Sequence, residues 1–139
     1  MAEKTLEEWI AHYEKKTKTK FKQDPRAKLL FDPEKGFAEI GVLKNMVVIG
    51  QLSGDAKYWK KFAEEIARRC KISNLGTWCC RNIEAYIKFF NVEIEEIEDA
   101  GENLKRYHGK FKDTGKPALF SPRSRNEAGN VVYMVTWEI

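Results

Sequence analysis

The segment from Met46 to Val92 constrains this chain more than any other. It opens on the apolar run Met46-Val47-Val48-Ile49-Gly50 and passes through Gln51-Leu52-Ser53-Gly54-Asp55-Ala56 into a stretch with apolar residues at helical spacing. The pattern predicts a strand, a glycine turn, an amphipathic helix, a second strand, a second helix and a third strand. A strand that ends in a glycine turn and feeds a helix leaves backbone N–H groups aimed at one point, an arrangement able to hold a phosphate.

The flanking residues extend the reading. Thr5 to Glu14 is expected to be a helix, with Thr5 and Glu8 at capping-box spacing and Leu6, Trp9, Ile10 and Tyr13 on one face. Lys15 to Pro25 is a polar connector. Ala27–Phe31, Phe37–Leu43 and Met46–Leu52 read as a three-stranded meander, with Gly36 supplying a positive φ in the first turn. Past the glycine turn, Trp59, Phe62, Ile66 and Cys70 fall on one helix face, and Lys60, Lys61, Glu64, Glu65, Arg68 and Arg69 mostly lie outside it. Leu75–Cys80 is a strand, Ile83–Phe90 a short helix and Val92–Ile97 a strand. Residues 104–139 form a closing β-rich region, and its last run alternates Val131, Tyr133, Val135 and Trp137 with Val132, Met134 and Thr136. The expected core is Trp59, Phe62, Ile66, Trp78, Tyr86 and Phe90, joined by Trp9 and Ile10. We therefore expect one domain over residues 1–139, in which 1–25 supply an N-terminal helix and basic connector.

A chain of 139 residues with 42% hydrophobic content has room for a proper core. No apolar run reaches membrane-span length, and the start Ala-Glu-Lys is unlike a signal peptide, so the expectation is a cytoplasmic protein with no membrane partner. Cys70, Cys79 and Cys80 are too few and too badly spaced for a disulfide framework or a zinc site. Only His12 and His108 could assist a metal, and neither is near a cysteine in sequence, so no metal is expected.

Charge is unevenly spread around a net +4. Lys15, Lys16, Lys18, Lys20, Lys22, Arg26 and Lys28 form a basic run relieved only by Asp24. Glu93, Glu95, Glu96, Glu98, Asp99 and Glu102 form an acidic one, followed by Lys105, Arg106, Lys110, Lys112, Lys116, Arg123 and Arg125. Such runs are usually solvated faces. Phe21, Tyr107 and Phe111 interleave with the cations, but no recognised nucleic-acid motif accompanies them, and the expectation is against a nucleic-acid partner.

The order of elements, best over Met46 to Val92, resembles the GNAT N-acetyltransferase family. In that family a strand ends in Q/R-x-x-G-x-G/A and opens the helix that cradles the acetyl-CoA pyrophosphate, and Gln51, Gly54 and Ala56 match those positions. The next strand often ends in an Asn that starts a helix with Ala three residues later, as Asn82 and Ala85 do here. The whole is also similar to small, divergent acetyltransferase-like proteins of bacterial prophages. The resemblance implies an α+β fold of the GNAT acyl-CoA N-acyltransferase type, a mixed twisted sheet with helices on both faces. It implies acetyl-CoA as cofactor, with its diphosphate on the N–H groups of Ser53, Gly54, Asp55, Ala56 and Lys57. The pantetheine arm would run along Val48–Gly50, and Asn82 would line the far side of the cleft.

The residues themselves support a ligand less evenly. Gly54 would let backbone approach an anion, and Lys57, Lys60 and Lys61 add cations. Asp55 puts a negative charge where a diphosphate would sit, and either Asp55 or Ser53 could simply cap the helix. Acetyl transfer needs a base for the amine and a donor for the departing thiolate. The strand before the turn contains no carboxylate, so Glu39 or a water would have to be the base. Phe89 falls where the family has a Tyr, which leaves Tyr86 as the acid. Two functions follow from this reading. One is an acetyl-CoA-binding N-acetyltransferase acting on an unknown amine. The other is a catalytically silent GNAT-like binding or assembly module of a phage or mobile element. Either is compatible with a monomer or a homodimer.

Overall fold

The computed structural model describes residues 3–79, 83–127 and 129–139. The chain divides into two compact units, Met1–Ile72 and Ser73–Ile139.

The first unit contains α1 (Leu6–Thr17), β1 (Lys28–Asp32), β2 (Gly36–Leu43), β3 (Met46–Gly54) and α2 (Ala56–Arg69). The capping box forms: Thr5 Oγ1 accepts from the Glu8 N–H, and Glu8 Oε1 accepts from the Thr5 N–H. The helix ends at Lys18, whose left-handed φ of 58° turns the chain out and lets its N–H reach the Glu14 carbonyl. β1, β2 and β3 form an antiparallel meander. Its first turn is closed by Asp32, whose carboxylate accepts from the N–H groups of Glu34 and Lys35. Phe37 and Ala38 point to opposite faces of β2 and both are fully buried. On the Phe37 side the ring packs edge-on against Tyr13 of α1 and against Phe21.

Helix α2 lies against β3. Its buried stripe is Ala56, Trp59, Lys60, Ala63, Glu64 and Ala67, an i, i+3, i+4, i+7 series. This corrects the expected face. Phe62 is 38% exposed, whereas Lys60 and Glu64 are buried and joined by an ion pair of 3.2 Å. Small alanines let the helix come close to its neighbours, and the intrahelical pair neutralises the two charges that this brings inside.

The second unit contains β4 (Asn74–Cys79), α3 (Ile83–Phe89), β5 (Val92–Asp99), β6 (Lys105–Phe111), β7 (Pro117–Arg125) and β8 (Val131–Glu138). Its strands are ordered β4-β8-β7-β6-β5, each pair antiparallel. Phe90, Val92, Phe111, Phe120, Val135 and Trp137 are buried, and the rings of Phe90 and Phe111 pack on Trp137. On β4, Leu75, Thr77 and Cys79 are buried while Trp78 is 40% exposed, so Trp78 lies outside the core in which it was expected.

These findings correct the expected GNAT-type mixed sheet with helices on both faces. Strand accounts for 45% and helix for 26%, with eight strands and three helices among the described residues. Within each unit every strand pair is antiparallel. Among the described residues the second unit has one helix, of seven residues with none buried, which is too short to cover a sheet of five strands. The physical cause is the turn chemistry. Lys44-Asn45 and Asp113-Thr114-Gly115 return the chain directly to its neighbour, and a direct return makes hairpins rather than helical crossovers. Among the described residues no helix is long and apolar enough to cross a membrane.

Candidate functional site

Gly54 has φ 105° and stands opposite Gly36, φ 98°, across the β2–β3 pair. A Cβ on Gly54 would overlap the Lys35 carbonyl, and one on Gly36 would overlap that of Ser53. The two glycines let the β1–β2 turn and the strand-to-helix turn approach each other, so the local backbone accounts for Gly54 by itself. The Asp55 N–H donates to the Lys35 carbonyl at 2.9 Å. The Asp55 carboxylate caps α2, accepting from the Tyr58 N–H at 3.1 Å, and its other oxygen lies 3.5 Å from Lys35 Nζ. Trp59 Nε1 donates to the same Lys35 carbonyl at 3.0 Å. The first turn of α2 therefore already holds an anion of its own chain. Ser53 is buried opposite Phe37, Ala56 is buried beneath the helix, and Lys57 is exposed.

Glu39 and Gln51 are brought together, and Glu39 does not face solvent as a catalytic base would. β3 carries a bulge: Leu52 faces Ala38 and Ile49 faces Ile40, so Gly50 and Gln51 share the place opposite Glu39. Val48 is buried opposite Gly41. Glu39 is 1% exposed. Its Oε1 accepts from Gln51 Nε2 at 2.7 Å and its Oε2 from the Asp24 N–H at 2.7 Å. Gln51 Nε2 also donates to the Lys22 carbonyl at 2.6 Å. Both carboxylate oxygens are thus engaged in holding the connector between α1 and β1. Tyr86, in the other unit, is half-buried, with the rings of Phe89 and Phe90 beside it. Asn82 lies outside the described residues.

That connector is the feature that sequence reading left as a solvated run. Its backbone is fixed at three points: Phe21 N–H to Glu14 Oε2 at 2.7 Å, Lys22 carbonyl to Gln51, and Asp24 N–H to Glu39. The Phe21 ring is wedged edge-on between Tyr13 and Phe37. Lys15, Lys16, Lys18, Lys20, Lys22, Arg26 and Lys28 are all exposed. Asp24, the one acid among them, is taken by Arg26: the guanidinium and then the Arg26 N–H hold its carboxyl below the ordinary range. Among the described residues Lys15, Lys18, Lys20, Lys22 and Lys28 enter no ion pair. A signal was present in the sequence. Glu39 and Gln51 are hydrogen-bonding side chains inside two apolar strands, and a buried carboxylate must find donors.

No group of three or more His, Cys, Asp or Glu side chains among the described residues is placed to hold a metal ion. Comparison with protein-family models, with curated proteins and with solved structures finds no match to this chain.

Proposed function

We propose that this chain is a catalytically silent binding module that holds a polyanionic partner along residues 15–28. The reading rests on one observation: the backbone of this segment is fixed from below by Glu14, Glu39 and Gln51 while its cations face solvent. A run of lysines that served only solubility would gain nothing from an ordered backbone. Ordering like charges beside one another costs repulsion, and that cost is offset when closely spaced anions bind across them. Catalysis has no comparable support. Its one candidate carboxylate base, Glu39, is buried with both oxygens engaged, which leaves that role to a water.

The test is retention on immobilised heparin as a function of salt. Wild type should elute late, and the variant Lys15→Gln/Lys18→Gln/Lys20→Gln/Lys22→Gln early, because each neutralised contact removes about 0.7–0.9 from the slope of log K against log salt. Equal elution of the two overturns the reading.

A second reading, an acyl-CoA ester at the glycine turn, is favoured by one observation. The N–H groups of Ala56 and Lys57 open α2 and donate to no hydrogen bond among the described residues. It is opposed by the Asp55 carboxylate already over that helix end. Acetyl-CoA and CoA raising the melting temperature where a nucleotide control does not, with a larger rise in Asp55→Asn, would establish it. No shift with millimolar acetyl-CoA in either protein retires it.

A further inference from the structure

Helix α2 presents two aromatic rings toward solvent that its packing does not need. Phe62 is 38% exposed and Tyr58, one turn earlier, is half-buried. Their rings lie 6.0 Å apart with planes only 24° from parallel. Buried Trp59 backs both, with centroids 4.8 Å from Tyr58 and 5.6 Å from Phe62. Trp59 is itself fixed by its bond to the Lys35 carbonyl, so the pair stands on a rigid support. Cations surround it. Lys35 Nζ sits 5.6 Å over the Tyr58 ring, and Lys57 and Lys61 run beside the two aromatics along the exposed helix.

We propose that Tyr58 and Phe62 form a stacking platform for an unpaired nucleobase, and that the polyanion bound by this unit is single-stranded nucleic acid. The second half rests on the reading of residues 15–28 given above; the platform is an independent observation. A pair of near-parallel aromatic rings with lysines beside it matches a ligand with a π-face and an anion on the same repeating unit. A nucleotide has both. A duplex keeps its bases stacked inside and could meet the lysines but not the rings. An amphipathic helix of a protein partner would call for aliphatic anchors over several turns, and on this helix face Phe62 is the single large apolar side chain exposed.

The experiment is fluorescence anisotropy with a labelled oligo(dT), a duplex of equal length, and vesicles rich in anionic phospholipid as competitor. Wild type should prefer the single strand. Phe62→Ala should weaken single-strand binding about tenfold, the effect of losing one base stack, with duplex affinity and salt slope unchanged. Phe62→Trp should restore binding, which separates stacking from any loss of fold. The quadruple lysine-to-glutamine variant should weaken both probes. Equal affinity of wild type for the two probes overturns the platform, as does Phe62→Ala binding like wild type while the lysine variant fails. The latter result leaves the basic-segment reading standing. Loss in Phe62→Ala with none in the lysine variant overturns the basic-segment reading and keeps the platform. Displacement by the vesicles with no oligonucleotide bound, or binding of neither, overturns the nucleic-acid assignment outright.

Discussion

The basic segment of the first unit and the β5–β6 hairpin of the second treat charge in opposite ways. Residues 1–72 carry sixteen lysines and arginines against eleven acids, and residues 73–139 carry nine against ten. In the second unit the acids of β5 stand directly opposite the basic side chains of β6: Glu93 faces Lys110, Glu96 faces His108, Glu98 faces Arg106 and Asp99 faces Lys105. Glu98 accepts from both His108, at 2.9 Å, and Arg106, at 3.3 Å, and Lys110 reaches Glu95 at 3.5 Å. Opposite charges across a hairpin stabilise its register, and charge along an outer strand blunts unwanted pairing. In the first unit the cations of residues 15–28 are gathered in one exposed segment whose only acid is already taken by Arg26. A charge partnered inside its own chain has little left for a ligand. An ordered, unpartnered one has a field directed outward. Charged runs that look alike in a sequence can therefore serve the fold in one unit and, on the function proposed above, a partner in the other.

The units also differ in what fills them. The second packs large rings, Phe90, Phe111, Phe120 and Trp137, on a sheet; the first sets a helix on alanines, one Trp and an ion pair. The largest effect we expect tests this difference. Trp59→Ala should lower unfolding stability by about 3–5 kcal/mol, because a buried ring and its bond to Lys35 are lost together. Phe62→Ala, on the exposed side, should stay within about 0.5 kcal/mol of wild type. Urea titrations of the two variants, one turn apart, locate the buried face. Equal losses would mean that the stripe through Ala56, Ala63 and Ala67 is not the packed one.

A smaller and more local effect is expected at Glu39. Glu39→Ala leaves the Asp24 N–H without its acceptor and the Gln51 amide with only the Lys22 carbonyl, at about 1–3 kcal/mol for a group left unsatisfied. Loss of protection in amide hydrogen exchange should concentrate at Phe21 and Asp24 and spare the second unit. If exchange rises evenly through residues 28–54 instead, Glu39 holds the meander rather than the basic segment. Heparin elution should move with the local loss, because cations on a loosened backbone bind less well.

Strands, turns and the two long helices were legible in the sequence because their signals are local. Alternation from Val131 to Trp137, the capping box at Thr5 and Glu8, and the glycine of the Asp32–Gly36 turn each act within a few residues. The buried face of α2 was not legible. Hydrophobicity ranks Phe62 and Ile66 above Ala63 and Ala67, whereas close approach favours the alanines, and Lys60 and Glu64 read as surface until their pairing is seen. Trp78 illustrates a related limit: size alone places it in the core, whereas alternation along β4 sets it on the face opposite Leu75, Thr77 and Cys79, where it is 40% exposed. The roles of Glu39 and Gln51 depend on a bulge and on contacts 15 and 29 residues away in sequence, which no local pattern carries. The turn motif Gln51–Ala56 was visible as a string, but its glycine serves Lys35 and its aspartate serves α2.

The smallest effect lies in the acid limb of the stability curve. His108 first, and Arg106 next, hold the Glu98 carboxyl below its ordinary value of 4.5. A carboxylate depressed in the folded state contributes stability that is complete above its unfolded value and fades as pH falls through the folded one. Glu98→Gln should therefore flatten the loss of stability below about pH 4.5. Asp24 offers the matching probe in the first unit, where Arg26 depresses a carboxyl whose ordinary value is 3.8. Asp24→Asn should flatten the curve too, but only from about pH 3.8 downward. Both carboxyls are exposed, so raised salt should shrink both effects. Chemical denaturation of the three proteins across the acid range separates them. If the Glu98→Gln curve runs parallel to wild type throughout, the β5–β6 charges are paired in register but not in energy. The second unit would then hold its hairpin by packing alone, and its charges would be as available to a partner as Lys15, Lys18, Lys20, Lys22 and Lys28.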